Sequence, residues 1–140
     1  MESPILELFN LKGRVALVVG GNRGLGLSMA KALAEAGATI AIAARDETKN
    51  REAEEAIGGI YAAPGDGRCF SVGCDVCDVD SVASAVNRVV AQAGRIDILI
   101  NSAGINIRGT IEQVSPEDFS KVQQVNVTGS WLAARAVIPV

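Results

Sequence analysis

The feature that most constrains the fold of this chain is a glycine-rich segment, residues 20–26, which separates two apolar segments of different period. Before it, residues 14–19 form a continuous β-favouring run, typical of a strand buried on both faces. After it, apolar residues recur at helical spacing as far as Gly37, a natural helix stop. Such glycines let the backbone turn tightly and approach a ligand, because no Cβ is in the way. The helix start then offers free N–H groups to an anion such as a pyrophosphate, although a turn without a ligand would share the pattern.

The alternation of strand and helix continues along the chain. We predict further buried strands at residues 39–44, 69–73 and 96–100, and helices at residues 47–57, from about 80 to 94, and from 115 to the end. Residues 58–67 are the most loop-like stretch. Repeated βαβ units require right-handed crossovers and a mostly parallel sheet. The sequence therefore predicts an α/β fold of the Rossmann type: a doubly wound parallel sheet in three α/β/α layers, with its first four strands in the order 3-2-1-4.

Composition narrows the functional classes. Of 140 residues, 49% are hydrophobic and 21% are charged, which suits one packed domain and excludes disorder for most of the chain. A net charge of −3 argues against nucleic acid and membrane surfaces as partners, and the absence of His removes imidazole from any triad or metal site. A Walker A loop is excluded because no Gly-Lys-[Ser/Thr] follows the glycines. Because residues 1–10 lack a signal-peptide pattern, we expect a cytoplasmic protein.

Three cysteines lie close together, and two of them, Cys74 and Cys77, form a C-x-x-C pair. With Cys69 they make only three ligands, one fewer than the four that zinc usually takes. A redox pair at the start of a helix is the second alternative. Free Cys usually behaves as a small core residue, and we favour that interpretation. The sequence thus predicts no metal site.

The glycine spacing G-x-x-x-G-x-G resembles the first turn of the short-chain dehydrogenase/reductase family, which usually reads T-G-x-x-x-G-[IL]-G. Val19 stands where that family usually has Thr, whose hydroxyl helps to tie the turn. We expect the change to affect local stability more than cofactor binding. The resemblance extends from about residue 11 to residue 140, and it implies these cofactor-binding residues in the turn: Gly20, Asn22, Arg23, Gly24, Leu25 and Gly26.

The end of the second predicted strand bears on the choice of cofactor. Dinucleotide folds that prefer NAD usually carry an acid here, which binds the ribose 2′-hydroxyl. In this chain Ala44 aligns with that acid and Arg45 follows, while Arg23 can reach the same place. Because Arg binds phosphate in a fork, the pattern favours NADP, with NAD less favoured. Two solvated arginines are the alternative, and a one-residue shift would bring Asp46 into the position of the acid.

Two further strand ends match the family pattern. Asp75 and Val76 follow the third strand, where the family's Asp-Val or Asp-Leu pair contacts the adenine. The fourth strand is followed by N-S-A-G, where the family usually has N-N-A-G beside the cofactor ribose. The resemblance implies that these residues also bind the cofactor: Asn101, Ser102, Ala103 and Gly104. Generic strand-end turns are the alternative for both motifs.

One residue of the family's proton relay is present. Asn126 corresponds to the Asn that interrupts a long helix in the family and holds a water of the relay, so we assign it as catalytic by resemblance. Asn is a poor helix former that competes for backbone groups, and therefore a buried helix needs a reason to carry it. A hydrogen-bonded Asn at a kink without a catalytic role is the alternative.

The family's Ser and its Tyr-x-x-x-Lys have no match here, since the only Tyr is Tyr61 and no Lys stands four residues after it. We therefore expect residues 1–140 to be a cofactor-binding domain that stops before the catalytic Tyr-x-x-x-Lys region. The resemblance implies an NADP(H)-dependent oxidoreductase for a carbonyl or alcohol substrate of the polyol, sugar-acid or 3-oxoacyl type, and a homo-oligomer. A nucleotide-binding module without catalysis is one alternative, and a protein that binds S-adenosylmethionine is another.

Overall fold

In a computed structural model that describes residues 4–61 and 67–140, the chain forms a four-stranded parallel sheet between layers of helices. The strands are β1 (Val15–Val19), β2 (Thr39–Ala44), β3 (Cys69–Gly73) and β4 (Ile98–Asn101). The helices are α1 (Pro4–Glu7), α2 (Gly24–Glu35), α3 (Glu47–Gly58), α4 (Val79–Ala93), α5 (Pro116–Gln123) and α6 (Gly129–Val137), with a π-helical turn, Gln124–Thr128, between the last two. The strand order β3-β2-β1-β4 confirms the predicted Rossmann-type sheet.

The core consists of two apolar clusters, one on each face of the sheet, because neighbouring residues of a strand point to opposite faces. Along β1, Leu17 and Val19 pack towards α4 and α6, whereas Ala16 and Val18 pack towards α2 and α3. All five residues of β1 are buried. The three-layer arrangement that the continuous apolar run predicted is therefore confirmed.

Several predicted boundaries were wrong. Helix α2 begins at Gly24, inside the predicted turn, because two of its glycines already belong to the first helical turn. Strand β4 begins at Ile98 and not at residue 96, because the Val15 N–H donates to the side chain of Asp97 and not to a backbone carbonyl. The predicted last helix is divided by the π-helical turn, and α1 was not predicted. Of the predicted loop at residues 58–67, residues 62–66 lie outside the described part of the chain. Within the described ranges, no helix is long and apolar enough to cross a membrane.

Asp97 ties the beginnings of β1 and β4 together. Its carboxylate accepts hydrogen bonds from the Val15 N–H at 2.9 Å and from Nη1 of Arg14 at 3.0 Å, and Arg95 pairs with it as well. Burial by itself raises the pKa of Asp97, but the hydrogen bonds from Arg95, Val15 and Arg14 outweigh it and lower the pKa to about 2. The carboxylate therefore stays ionised and holds the two neighbouring strands in register.

We expect Asp97→Asn to lower the free energy of unfolding at pH 7 by about 1–3 kcal/mol, since it removes charge-assisted hydrogen bonds. The folded pKa of Asp97 lies below its ordinary value of 3.8, so its contribution is present above pH 4 and is lost as the pH falls towards 2. Urea unfolding at pH 7, 4 and 2.5 would measure this. The difference in the free energy of unfolding between wild type and Asp97→Asn should disappear on acidification. Glu52→Gln, at an exposed position on α3, is the control and should unfold with the same free energy as wild type at pH 7. A gap independent of pH would contradict the assignment.

Candidate functional site

A cleft of about 770 Å³ lies at the carboxyl ends of the four strands. Parallel strands end at the same edge of the sheet, so the loops after β1, β2, β3 and β4 meet there. Most of the predicted site residues line it: Gly20, Asn22, Arg23, Gly24, Leu25, Ala44, Arg45, Asp75, Val76, Ser102, Ala103 and Gly104. Gly26, Asn101 and Asn126 do not line it. The walls also include residues outside the predicted set of cofactor-binding residues: Ala43, Asp46, Lys49, Cys74, Cys77, Ile105 and Val125.

The three glycines of the motif have different structural roles. Gly20 has a φ of +77°, and a Cβ there would lie 2.6 Å from the backbone nitrogen of Ala103. A Cβ on Gly26 would lie 2.2 Å from the carbonyl oxygen of Gly20. Gly24, with a φ of +54°, has nothing within 4 Å of a Cβ position and lines the cleft. The first two glycines therefore permit close backbone packing, and Gly24 leaves open space at the start of α2.

The turn is tied without the Thr hydroxyl that Val19 replaces. The Gly20 N–H donates to the Ala43 carbonyl oxygen, and the Ser102 N–H donates to that of Val19, both at 2.8 Å. The Val19 side chain itself is buried in the core. Backbone hydrogen bonds to β2 and to the loop after β4 thus hold the turn on both sides.

The first turn of α2 lies at the cleft, and no acidic side chain in it neutralises the partial positive charge of the helix start. It contains no acidic residue, and Arg23 at the N-cap makes no side-chain capping hydrogen bond. The N–H groups of a helix start lack intrahelical partners and carry a partial positive charge. Together with the open space at Gly24, this geometry suits a phosphate or pyrophosphate group.

The end of β2 adds positive charge to one wall of the cleft. Arg23 and Arg45 are exposed and line the cleft, as does Lys49, which the sequence did not single out. The same wall contains Asp46, but its carboxylate caps α3 by accepting a hydrogen bond from the Lys49 N–H at 3.1 Å. This backbone hydrogen bond lowers the pKa of Asp46, and the Lys49 ammonium, 3.7 Å away, acts in the same direction. The acid is thus already paired within its own helix.

Asn50 is a buried polar residue that the sequence did not single out. It is only 2% exposed, its Nδ2 donates to the Ala44 carbonyl oxygen at 3.0 Å, and its Oδ1 accepts from Nδ2 of Asn22 at 2.9 Å. A signal was available, because Asn50, Ala53 and Ile57 are the buried residues of α3 and follow helical spacing. An Asn within such an apolar stripe requires hydrogen-bond partners.

The loop after β3 contains both Asp75 and the C-x-x-C pair. Asp75 Oδ1 accepts from the Cys77 N–H at 2.9 Å, which closes a tight turn before α4. Burial raises the pKa of Cys74 to about 11, with the Asp75 carboxylate adding to the shift, and burial also raises the pKa of Cys77. Both thiols are therefore poor nucleophiles at neutral pH. Nowhere in the described ranges do three or more His, Cys, Asp or Glu residues form a possible metal site.

Asn126 lies in the π-helical turn and holds the loop after β4. Its Oδ1 accepts from the Ile105 N–H at 2.8 Å, and its Nδ2 donates to the Ile105 carbonyl oxygen at 2.9 Å. The carbonyl oxygen of Asn126 accepts from the Ser130 hydroxyl at 2.9 Å, and Asn101 Nδ2 lies 3.4 Å from the Ser130 carbonyl oxygen. Asn126 thus supports the cleft through Ile105, which lines it, whereas Asn101 contacts Ser130, which does not.

Comparisons with known proteins agree with this architecture. A family model described as short chain dehydrogenase matches residues 14–140. A 2-dehydro-3-deoxy-D-gluconate 5-dehydrogenase of Formosa agariphila is 36% identical over 136 residues, which is 95% of this chain and 49% of that protein. A gluconate 5-dehydrogenase of Gluconobacter oxydans is 37% identical over 131 residues, 94% of this chain and 49% of that protein. The chain spans about half the length of the curated relatives that it matches.

Solved structures superpose closely on the chain. A 3-ketoacyl-(acyl-carrier-protein) reductase from Brucella melitensis, complexed with NADH, has a TM-score of 0.83 and 35% identity, with 92% of this chain and 50% of that chain covered. An actinorhodin polyketide ketoreductase with NADPH has a TM-score of 0.81 and 28% identity, with 89% and 46% covered. One of these structures contains NADH and the other NADPH.

Proposed function

The chain belongs to the short-chain dehydrogenase family, and from this premise we propose that it is the cofactor-binding part of an NADP(H)-dependent oxidoreductase that interconverts a carbonyl and a secondary alcohol. The observation that carries the proposal is the cleft itself, in which a glycine turn, a helix start and cationic side chains converge at the ends of four parallel strands. A dinucleotide needs these groups: donors for its phosphates and a surface for its adenine. When bound, the nicotinamide supplies or accepts the hydride.

The residues of the cleft fit such a cofactor. Gly24 leaves open the space that a Cβ would occupy, and the N–H groups of the following helix turn are available to the pyrophosphate. Val76 is buried at the wall, where it would cover one face of the adenine, and the partly exposed Asp75 retains acceptor capacity for an amino group. The loop formed by Asn101, Ser102, Ala103 and Gly104 would border the ribose next to the nicotinamide.

Charge at the end of β2 supports NADP over NAD. No carboxylate follows β2 directly, because Ala44 ends the strand and Arg45 comes next. Asp46, the acid closest to that position, is engaged as the N-cap of α3. A 2′-phosphate would therefore meet Arg23, Arg45 and Lys49, of which arginine forms the stronger bidentate contacts.

We expect Arg45→Ala to weaken NADPH binding about tenfold or more, because a charged hydrogen bond contributes roughly 1.5–3 kcal/mol. NADH binding should be nearly unchanged, since NADH has no 2′-phosphate. Fluorescence titration of both cofactors measures the two affinities. Arg51→Ala is the matched control, because Arg51 is an exposed arginine of the same helix region that does not line the cleft. Equal losses for both cofactors in Arg45→Ala would contradict the NADP assignment.

The described residues do not supply the groups that would transfer the proton in this reaction. Tyr61 is the only Tyr in the chain, and its hydroxyl donates to the Ala38 carbonyl oxygen at 2.6 Å, away from the cleft. Burial raises the pKa of Tyr61, so it is not suited to acid–base work near neutral pH. We propose that residues 1–140 are the cofactor-binding half and that Asn126 positions the relay water beside catalytic groups from another part of the enzyme.

The relatives support a proposal for the substrate class, and the exposed apolar side chains support one for the assembly. We propose a polyol, sugar-acid or 3-oxoacyl substrate, in view of relatives named for 2-dehydro-3-deoxy-D-gluconate, gluconate and 3-ketoacyl groups. We also propose a homo-oligomer, because the side chains of Phe119, Val127 and Trp131 are more than half exposed on the α5–α6 segment. Exposed apolar groups of this size favour burial against a second copy of the chain.

The test of the function is an assay of NADPH oxidation against keto sugar acids and 3-oxoacyl thioesters. We expect residues 1–140 alone to bind NADPH without oxidising it, and a chain that also carries a Tyr-x-x-x-Lys region to be active. Titration with S-adenosylmethionine tests the alternative that the chain is a Rossmann protein that binds this ligand. Binding of S-adenosylmethionine in place of NADPH, or reductase activity from a monomer of residues 1–140, would refute the proposal.

A further inference from the structure

Asn50 has no role in the function proposed above, although it lies directly behind the cofactor cleft. It is almost fully buried, at 2% exposure, at the end of the first turn of α3. Its side chain contacts both the end of β2, through Ala44, and the glycine turn, through Asn22. We propose that Asn50 is a positioning residue that orients the Asn22 amide, so that Asn22 presents an acceptor oxygen to the bound nucleotide. The inference rests on the proposed function.

The Ala44 carbonyl fixes the direction of this chain of hydrogen bonds. A carbonyl oxygen only accepts, so the Asn50 atom that faces it at 3.0 Å must be Nδ2. Oδ1 of Asn50 therefore faces Asn22, and Asn22 must offer its own Nδ2 to that oxygen, at 2.9 Å. The orientation of the Asn22 amide, which is otherwise ambiguous, is thus decided by the Ala44 carbonyl, two hydrogen bonds away.

This orientation leaves Oδ1 of Asn22 as a hydrogen-bond acceptor at the cleft. None of the described residues donates to Oδ1 of Asn22, and within the described ranges no buried side-chain oxygen or nitrogen lacks a partner. Oδ1 is therefore open to solvent, and Asn22 lines the cleft. An acceptor in this place suits a hydroxyl or amino group and repels a phosphate oxygen. It complements the neighbouring helix start, whose N–H groups suit the phosphates.

Asn50 can be replaced without leaving the Ala44 carbonyl unpaired. That oxygen also accepts the Cys74 N–H at 3.1 Å, within the pairing of β2 and β3. The Asn50 side chain packs on the same helix face as the buried residues Ala53 and Ile57. Asn50→Leu, which has a similar shape, should therefore fold and lose only the orientation of Asn22.

A double-mutant cycle tests the proposal. NADPH affinity is measured for residues 1–140 as wild type, Asn50→Leu, Asn22→Ala and the double variant. We expect each single change to weaken NADPH between about three- and tenfold, the range of one neutral hydrogen bond. The double variant should bind no more than twofold more weakly than Asn22→Ala, because Asn50 acts through Asn22. Losses that multiply in the double variant, or an unchanged affinity of Asn50→Leu, would overturn the proposal.

Ala53→Gly is the matched control for helix stability. It weakens the same buried face of α3 without touching the Asn22–Asn50 pair, so the melting temperature should fall while the NADPH affinity stays as in wild type. A loss of affinity equal to that of Asn50→Leu would show that only the stability of α3 matters. A wild type that binds neither NADPH nor NADH would refute the proposed function, and the inference with it. Binding by wild type with multiplying losses refutes the inference alone.

A measurement on the wild type keeps the proposal testable if a variant does not fold. The side-chain amide protons of Asn50 should exchange with solvent at least tenfold more slowly than those of an exposed Asn, because their nitrogen is buried and bonded. Asn87, exposed on α4, is the internal reference. Exchange at the same rate for both residues would show that Asn50 does not hold the geometry described.

Discussion

The Gly24→Val variant should bind the nucleotide about 100-fold or more weakly while it keeps its fold. The reason is that the branched side chain occupies the open space at the start of α2, where the phosphates would lie. Gly24 lines the cleft, and no atom of another part of the described chain stands within 4 Å of a Cβ at this position. Titration with NADPH measures the binding, and circular dichroism reports the fold.

Gly13→Val is the matched control for this experiment. Gly13 also has a positive φ, +80°, and also has nothing within 4 Å of a Cβ position, but it lies outside the cleft. A valine in the left-handed region costs on the order of 1–3 kcal/mol at either site, so the two variants should lose similar stability. Only Gly24→Val should lose binding. If a folded Gly24→Val protein binds NADPH as wild type does, the turn has no role in holding the phosphates.

Gly26→Ala should damage the fold itself. The added methyl group would lie 2.2 Å from the Gly20 carbonyl oxygen, and both groups belong to backbone that is held by its neighbours. We expect a loss of about 3 kcal/mol or more, a large part of the 5–15 kcal/mol of a typical domain. Urea unfolding followed by circular dichroism measures the loss, which in the extreme case leaves no folded protein to titrate.

Gly58→Ala is the matched control for Gly26→Ala. Gly58 ends α3 with nothing within 4 Å of a Cβ position and without a positive φ, so the same methyl group should leave stability unchanged or raise it by up to about 1 kcal/mol. Equal stability of Gly26→Ala and wild type would mean that the turn and the helix start are farther apart than the structure shows.

The strands could be predicted almost completely because each is a short apolar run between turn residues. β2 and β3 begin and end where the sequence predicted. β4 does not, because Ile96 continues the apolar pattern although the hydrogen-bonded ladder starts only at Ile98. A hydropathy pattern indicates which residues are buried, but a strand also needs a hydrogen-bonded neighbour. The residue at which pairing with that neighbour begins cannot be derived from the local sequence.

The residues that line the cleft were predictable where a motif marks a strand end and were missed where only packing brings residues together. Arg45 was predicted from its place after β2. Lys49 also lines the cleft because it lies in the first turn of α3, which begins at Glu47, two residues after Arg45. Asn50 was missed for a similar reason, since its partner Asn22 is 28 residues away. Asn126, assigned by resemblance, does not line the cleft but holds Ile105, which does, and its part in the relay stays a prediction.

The π-helical turn between α5 and α6 takes up one extra residue in what would otherwise be a single rod. An α-helix advances about 100° around its axis with each residue, so the same segment wound as a regular helix would present every later side chain about 100° out of phase. Leu132 and Ala133, which now pack against the sheet, would turn towards its flank. The π-helical turn therefore corrects the phase of the helix: the Asn126 side chain holds the loop at Ile105, while Leu132 and Ala133 beyond it still pack in the core.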